Sequence, residues 1–151
     1  HKNAKDLCDK YNRNYYKKFK KECDDYFFLE HRSEKRGIGG IFFDGLNIED
    51  KFYYLRFIDD VSSTFLSSYI EIIKNRYSKK FTKNHKNFQL YRRGRYVEFN
   101  LVYDRGTLFG LQSGGRVDSI LMSLPPQVSW NPKKTRILKE YETNLLKFIK
   151  K

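Results

Sequence analysis

The sequence predicts an α+β domain in which helices come first and a sheet of antiparallel strands follows. Apolar residues in the first half recur every three or four positions, which is typical of amphipathic helices. From residue 95 onward, apolar and polar residues alternate between short turn motifs, which favours strands. The 151 residues are enough for one core, so we expect a single domain over residues 1–151 with no internal boundary.

Three helices are predicted. The first runs to about Tyr26, and the second begins near Asn47, a good N-cap residue, with Glu49 and Asp50 in its first turn. The tail, Lys133–Lys151, is predicted to be a lysine-flanked helix. The apolar stripes of the first two helices consist of Cys8, Tyr11, Tyr15, Phe19, Cys23 and Tyr26, and of Phe52, Leu55, Ile58, Val61, Phe65, Tyr69, Ile72 and Ile73.

The remaining segments are predicted to be extended. Gly37–Asp44 is a short apolar run with three glycines, which fits a buried strand that another group approaches closely. Ser78–Phe88 is polar and basic, as expected of an exposed connection. A meander of three antiparallel strands follows, because the turn motifs between the apolar runs are short. The three strands are Val97–Tyr103, Leu108–Leu111 and Val117–Leu124.

The chain is strongly basic, with 31 Lys and Arg against 18 Asp and Glu. A nucleic-acid surface, an anionic small substrate and a solvated lysine surface are all compatible with this balance. Lysines crowd the two ends and Lys79–Lys86, which indicates solvent-facing charge. Arginines instead lie among apolar residues, where a guanidinium usually holds a carboxylate or a phosphate. These arginines are Arg92, Arg93, Arg95, Arg105 and Arg116.

Composition also bears on partners and compartment. A nucleic-acid-binding module would use exposed aromatic residues for stacking, but the helical stripes place most aromatics opposite the lysines, so we expect no nucleic-acid partner. No apolar run is long enough to span a membrane. Cys8 and Cys23 lack metal-site spacing and are predicted to be buried thiols in a reducing compartment, with a cytoplasmic location expected and an organellar one as the alternative.

Two groups of residues are candidates for a site. His31 and Arg32 precede a glycine-rich run, and they either belong to a site or cap the end of the first helix. The run is not a phosphate loop, since no Gly-Lys-Ser/Thr follows.

The second group is Asp104-Arg105 at the end of a predicted strand, facing the loop Gly114-Gly115-Arg116. Glycine pairs let a ligand approach backbone N–H groups, and Arg116 adds positive charge, so this arrangement suits a carboxylate ligand. The alternative for the same strand is a solvated sheet surface formed by Glu98, Asn100 and Asp104.

Two long motifs resemble one family. The first is Lys21–Asp44, and the second runs from Asn87–Tyr96 through Asp104–Thr107 and Gly114–Arg116 to Met122–Pro125. Both are similar to oxygen-dependent coproporphyrinogen III oxidases, and the resemblance covers nearly the whole chain. It implies that the chain is the C-terminal half of that domain. Two departures are Glu22, where the family usually has Trp, and Gly45, where a second Asp is common.

The resemblance implies a large antiparallel sheet flanked by helices and a homodimer formed through approximately Tyr96–Trp130. The implied reaction is the oxidative decarboxylation of two propionates of coproporphyrinogen III to vinyl groups by O₂, giving protoporphyrinogen IX, CO₂ and H₂O₂. O₂ is the co-substrate and no cofactor is required, although His1 and His31 match positions proposed as ligands of a divalent metal. An inactive chain that keeps only the dimer interface is the alternative within the same family.

The resemblance also assigns roles to residues. Asp104 and Arg105 are expected to be catalytic, and Gly114, Gly115 and Arg116 are expected to bind substrate. Arg32 and Arg36 are further candidates for binding the propionates. Asp104 either accepts hydrogen bonds from pyrrole N–H groups or only orients Arg105.

Overall fold

The computed structural model describes residues 1–46, 50–130 and 134–149, which are mostly helical. They form two compact units, His1–Tyr26 with Gly39–Lys80 (unit 1) and Phe27–Ile38 with Phe81–Lys151 (unit 2). None of the helices described is long and apolar enough to cross a membrane. In chain order the elements are α1 (Lys2–Tyr11), α2 (Tyr15–Tyr26), β1 (Phe28–Leu29), a 3₁₀ turn (Glu30–Arg32), β2 (Glu34–Lys35), α3 (Lys51–Arg76), α4 (Lys83–Val102), α5 (Arg105–Gln112), α6 (Val117–Leu121) and α7 (Arg136–Ile149).

Unit 1 is built around aromatic side chains. Helix α1 packs on α2 and α3, and Cys8, Phe19 and Phe57 are completely buried where they meet. The Phe57 ring centroid lies 5.0 Å from that of Tyr11 and 5.4 Å from that of Phe43, so the core is a network of tilted and edge-on ring contacts.

The first prediction for unit 1 needs one correction. The helix expected to continue to Tyr26 is broken into α1 and α2, because Asn12 is extended and its side chain accepts a hydrogen bond from the Asn14 N–H at 2.8 Å. Cys8 and Cys23 are buried free thiols, as predicted.

Helix α3 is confirmed, although its cap differs from the prediction. The Asp50 carboxylate accepts hydrogen bonds from the N–H groups of Phe52 and Tyr53 at 2.9 and 3.1 Å, so Asp50 is the N-cap rather than a residue of the first turn. Asn47 and Glu49 lie outside the described residues.

The predicted strand Gly37–Asp44 was wrong, since no ladder forms there among the residues described. The close approach that its glycines indicated does occur. A Cβ atom on Gly39 would stand 2.8 Å from the Cys23 sulfur, and the Gly40 N–H donates to the same sulfur at 3.4 Å.

Unit 2 is organised by α4, which contacts β1, α5 and α7. Its N-terminus is closed by a capping box, in which the Thr82 Oγ1 accepts from the His85 N–H at 3.3 Å and the His85 ring accepts from the Thr82 N–H at 3.1 Å. Its buried face repeats every four residues through Tyr91, Arg95 and Phe99.

The predicted meander was wrong. Val97–Tyr103 lies in α4 and its cap, Leu108–Leu111 lies in α5, and Val117–Leu124 contains α6. The alternation was misleading because Leu101 is exposed while the charged Arg95 and the polar Asn100 are buried. The predicted exposed connection Ser78–Phe88 is shorter than expected, because α4 already begins at Lys83.

The fold remains compatible with an α+β class, as a mostly helical chain with a small antiparallel sheet. In the described part of the chain that sheet has two strands, with Phe28 opposite Lys35 and Leu29 opposite Glu34. The tail helix is confirmed over Arg136–Ile149, whereas Lys133, Lys150 and Lys151 lie outside the described residues. The single domain without an internal boundary stays a prediction.

Candidate functional site

The predicted catalytic pair stands at the start of α5. Asp104 is the N-cap, and its Oδ2 accepts hydrogen bonds from the N–H and the hydroxyl of Thr107, both at 2.8 Å. Arg105 is the first residue of the helix and is exposed. Asp104 and Arg105 therefore lie at the N-terminal end of a helix and not at the end of a strand.

The predicted substrate loop stands at the other end of α5. Gly114 has a φ of +73°, which favours glycine, and the Gly115 N–H donates to the Gly110 carbonyl at 2.9 Å. A Cβ atom on Gly115 would lie 2.8 Å from that carbonyl oxygen. The two glycines thus close the helix, and the Gly115 N–H is used within the chain.

Arg116 follows this turn as the N-cap residue of α6. Its guanidinium is exposed and forms no hydrogen bond or ion pair with any residue that the structure describes. The eight residues of α5 separate Arg105 from the glycine turn by about 12 Å along the helix axis. The pair and the loop thus lie at opposite ends of one helix and do not face each other across a strand turn.

A second set of predicted residues converges on Glu98. Arg32 donates to its two oxygens from Nε and Nη2 at 2.9 and 2.8 Å, and His31 Nε2 lies 2.8 Å from Oε2. The Trp130 indole N–H donates at 2.9 Å and Arg95 Nη1 at 3.3 Å. Burial acts to raise the pKa of Glu98, but the hydrogen bonds from Arg32, His31 and Trp130 outweigh it and lower the pKa to about 2.

Arg95 joins Glu98 to a second buried carboxylate. Its Nε donates to Glu34 Oε1 at 2.9 Å and its Nη2 to the Tyr91 hydroxyl at 2.5 Å. Arg92 donates to the same Glu34 oxygen at 2.8 Å. Arg95 and Glu34 are only 3% and 5% exposed, so the charges are paired away from water. We call this set of residues the charge cluster: Glu34, Glu98, Glu142, Arg32, Arg92, Arg95 and Lys134.

Arg36 is held differently. Its guanidinium carbon lies 4.0 Å from the ring centroid of Phe27 and 5.0 Å from those of Tyr96 and Phe99. Such contacts are cation–π interactions, which favour a guanidinium over a lysine ammonium. The Arg36 guanidinium therefore packs against three aromatic rings of unit 2.

The two histidines proposed as metal ligands both contact tyrosines. His31 Nδ1 lies 2.8 Å from the Tyr103 hydroxyl, so both of its ring nitrogens are engaged, and His1 Nδ1 lies 3.1 Å from the Tyr16 hydroxyl. Over residues 1–46, 50–130 and 134–149, no group of three or more His, Cys, Asp or Glu side chains is placed to hold a metal ion. A metal at these histidines stays a prediction.

The carboxylates of the charge cluster were not predicted as partners of the arginines. The sequence did indicate that these arginines need an anion, because they lie among apolar residues. It could not indicate that Glu34 is the partner of Arg92, because the two residues are far apart in the sequence and only the fold brings them together. The alternative that His31 and Arg32 cap the first helix is not what the structure shows, since their side chains turn to Glu98.

The comparisons with known proteins agree on one family. The sequence model described as coproporphyrinogen III oxidase matches residues 1–151. The oxygen-dependent coproporphyrinogen-III oxidase of Francisella tularensis subsp. novicida is 56% identical over 130 residues, which is 86% of this chain and 42% of that protein. The enzyme of the same name from Francisella tularensis subsp. holarctica strain OSU18 is 51% identical over 150 residues, 99% of this chain and 49% of that protein. The chain thus spans about half the length of the curated relatives it matches.

Proposed function

The chain belongs to the coproporphyrinogen III oxidase family, and we propose that it forms part of the substrate site of an oxygen-dependent coproporphyrinogen III oxidase. In each of two steps a propionic acid side chain and O₂ give a vinyl group, CO₂ and H₂O₂. The bond to the carboxyl carbon breaks, the side chain loses two electrons, and O₂ accepts them with two protons. No organic cofactor is required in this proposal.

The observation that carries the proposal is the pair of arginines at the two ends of α5. The Arg116 guanidinium is exposed and without a partner among the described residues, and Arg105 stands at the far end of α5, a helix about 12 Å long. A macrocycle that bears four propionates offers carboxylates at several points of its rim, so it can meet both guanidinium groups at once. Charge-assisted, bidentate pairs would then orient the ring.

Asp104 is the acid closest to these cations in sequence, and we propose that it contacts the substrate pyrrole N–H groups. Its Oδ2 is held by Thr107, so the carboxylate is positioned before any ligand arrives. A carboxylate beside a pyrrole N–H favours an electron-rich ring, which is the form that reacts with O₂. The simpler role of orienting Arg105 stays the alternative.

Arg32 and Arg36 are weaker candidates for the propionates than Arg105 and Arg116. Arg32 already holds a carboxylate in a bidentate pair, that of Glu98, and Arg36 lies against three aromatic rings. A propionate would have to displace Glu98 to reach Arg32. Both residues remain predicted contacts of the second rank.

The homodimer is also part of the proposal. Within the segment Tyr96–Trp130, Phe109 and Met122 are 72% and 79% exposed, which is typical of surfaces that a partner covers. We also propose the large antiparallel sheet of the family. The proposed location is cytoplasmic, with an organellar one as the alternative. An inactive chain that keeps only this interface would dimerise without turnover.

The test is Arg116→Ala in the full-length protein, with oxygen uptake measured on coproporphyrinogen III. We expect KM to rise by about tenfold or more, because one charge-assisted pair is lost. Arg136→Ala is the control, as Arg136 is an exposed arginine of the same unit at the start of α7. If Arg116→Ala and Arg136→Ala give the same kinetics as the unmodified protein, the carboxylate clamp at Arg116 is wrong.

A further inference from the structure

A groove on one face of α4 contains an arginine that the proposed site does not use. Its volume is about 570 Å³, and the opposite wall is formed by the chain after α6 and by α7. Its lining is mostly apolar. The residues that matter here are Phe88, Arg92, Arg93 and Tyr96 from α4, Ser123 and Pro125 from the chain after α6, and Leu145 from α7.

Arg93 lies on the α4 side of the groove and, among the described residues, differs from its neighbour Arg92 in having no partner. It is partly buried, yet its guanidinium forms no hydrogen bond, ion pair or ring contact with any residue in the described part of the chain. Its neighbour Arg92 shows the usual situation, since it donates to Glu34 at 2.8 Å and to the Arg36 carbonyl at 3.3 Å. A guanidinium that has lost part of its water needs an anion in return.

The groove is formed before any ligand arrives. Phe88 packs edge-on against Tyr141 of α7 with ring centroids 5.5 Å apart, and the Tyr96 ring lies 5.0 Å from the Arg36 guanidinium carbon. The chain after α6 is tied to α4 by the hydrogen bond from the Ser129 N–H to the Leu90 carbonyl at 3.1 Å. Walls fixed in this way reduce the entropy that a ligand must lose on binding.

Two hydroxyl groups also line the groove. Tyr96 and Ser123 each line the cavity, and neither hydroxyl has a hydrogen-bond partner among the described residues. Arg92 also lines the groove, but its charge is already paired with Glu34, so Arg93 is the guanidinium that a ligand has to balance. One such guanidinium and two hydroxyl groups in a mostly apolar lining match a carboxylate carried on an apolar ring better than a phosphate, which would bring more charge.

We propose that this groove binds a carboxylate of a large, apolar ring compound, with Arg93 as its ion-pair partner and Tyr96 and Ser123 as hydrogen-bond donors. This inference rests on the proposed function, because the ring compound is then the tetrapyrrole and the carboxylate is one of its propionates. Ser123 follows Arg116 after one short helix, α6, so the groove includes a residue close in sequence to the proposed site.

The experiment measures equilibrium binding of coproporphyrin III, the stable and fluorescent oxidised form of the substrate, to the full-length protein. Arg93→Gln is expected to weaken binding by about tenfold, and Arg93→Lys by less, since it keeps the charge but not the bidentate geometry. Arg136→Gln is the control and is expected to bind as the unmodified protein does. The tetramethyl ester, which has no carboxylate, is expected to bind the unmodified protein and Arg93→Gln equally.

The outcomes separate this inference from the proposed function. If Arg93→Gln binds coproporphyrin III unchanged while Arg116→Ala binds it weakly, the groove is not a carboxylate site and the proposed function stands. If Arg93→Gln weakens the ester as much as the acid, Arg93 acts on the shape of the groove and the inference is wrong. If the unmodified protein does not bind coproporphyrin III, the inference is wrong, and oxygen uptake with coproporphyrinogen III decides the proposed function by itself.

Discussion

The two compact units both bury apolar side chains, but among the described residues only unit 2 also buries charged ones. In unit 1 the fully buried side chains are Phe19, Phe57 and Cys8, packed among further tyrosine and phenylalanine rings. In unit 2 the centre of α4 buries Arg95, paired with Glu34 and Glu98. Unit 1 is therefore stabilised by removal of apolar surface from water, and unit 2 also by an ionic network that depends on the protonation of its carboxylates.

The difference also concerns what each interior tolerates. An aromatic core loses stability in proportion to the contacts removed, at any pH. A buried ion pair adds little net stability over apolar residues of the same volume, but removal of one partner leaves the other charge buried and unpaired. The stability of unit 2 should thus fall when one buried charge is removed, whereas the stability of unit 1 should not depend on such a change.

The largest effect is expected for Phe57→Ala. Phe57 is completely buried, so its truncation is expected to lower the free energy of unfolding of unit 1 by about 4 kcal/mol. Phe65→Ala is the matched control on the same helix, because Phe65 is 67% exposed, and it should cost less than about 1 kcal/mol. Amide hydrogen exchange in α1 and α3 measures both. A Phe57→Ala effect that changes with pH would break the comparison.

The next effect is expected for Arg95→Met, which keeps much of the side-chain volume and removes the charge. Glu34 would be left with Arg92 alone, and we expect a loss of about 3.5 kcal/mol in the stability of unit 2. Amide exchange in α4 reports it, with Arg136→Met as the exposed control. Stability equal to that of the unmodified protein would mean that the apolar contacts of α4 suffice.

These two variants also mark what the sequence could predict. The helical period of the predicted stripe indicated α3 correctly, and a local acid, Asp50, caps the helix, but the stripe omitted Phe57, which is the buried residue of α3. The strand predicted through Val97 was wrong, because a buried Arg95 reads as exposed until Glu34 is known to face it. Local pattern predicted the helical period of α3, whereas it failed in α4, where burial depends on a charge from a distant segment.

The residues of the candidate site also differ in how well the sequence predicted them. Asp104, Gly114 and Arg116 were predicted as site residues from local signals, and Asp104 and Gly114 mark the ends of a helix for the same local reasons. Their separation along α5 could not be predicted once the segment was taken as a strand. The role of Glu98 as a shared acceptor was missed because two of its donors, Arg32 and Trp130, come from distant parts of the chain, and the third, Arg95, lies in a segment that was predicted to be extended.

A smaller effect, about 2 kcal/mol at neutral pH, is expected for Glu98→Gln. The carboxylate has a pKa of about 2 in the folded chain against an ordinary value of 4.5. Because the folded value is the lower one, the stability linked to its ionisation is fully present above about pH 4.5 and is lost as the pH falls through about 2.

The stability difference between the unmodified protein and Glu98→Gln should therefore shrink across that interval. Urea unfolding at a series of pH values measures it, with α4 followed separately by amide exchange. A difference that stays constant from neutral pH to pH 2 would show that Glu98 acts through shape and not through charge, and the contrast between the units would weaken.

The smallest effect on stability is expected at Asp104, where the contact is a helix cap and not part of either interior. Asp104→Ala removes the acceptor for the Thr107 N–H and hydroxyl and should cost about 1 kcal/mol, seen as faster amide exchange in α5. Asp104→Asn keeps a capping oxygen and should cost only a few tenths of that, because Asn caps about as well as Asp. Thr107→Ala serves as the control for the cap alone. Turnover then separates the two roles: if the carboxylate contacts the substrate, Asp104→Asn loses activity although α5 is intact, whereas activity that tracks amide exchange in α5 across the three variants would reduce Asp104 to a cap.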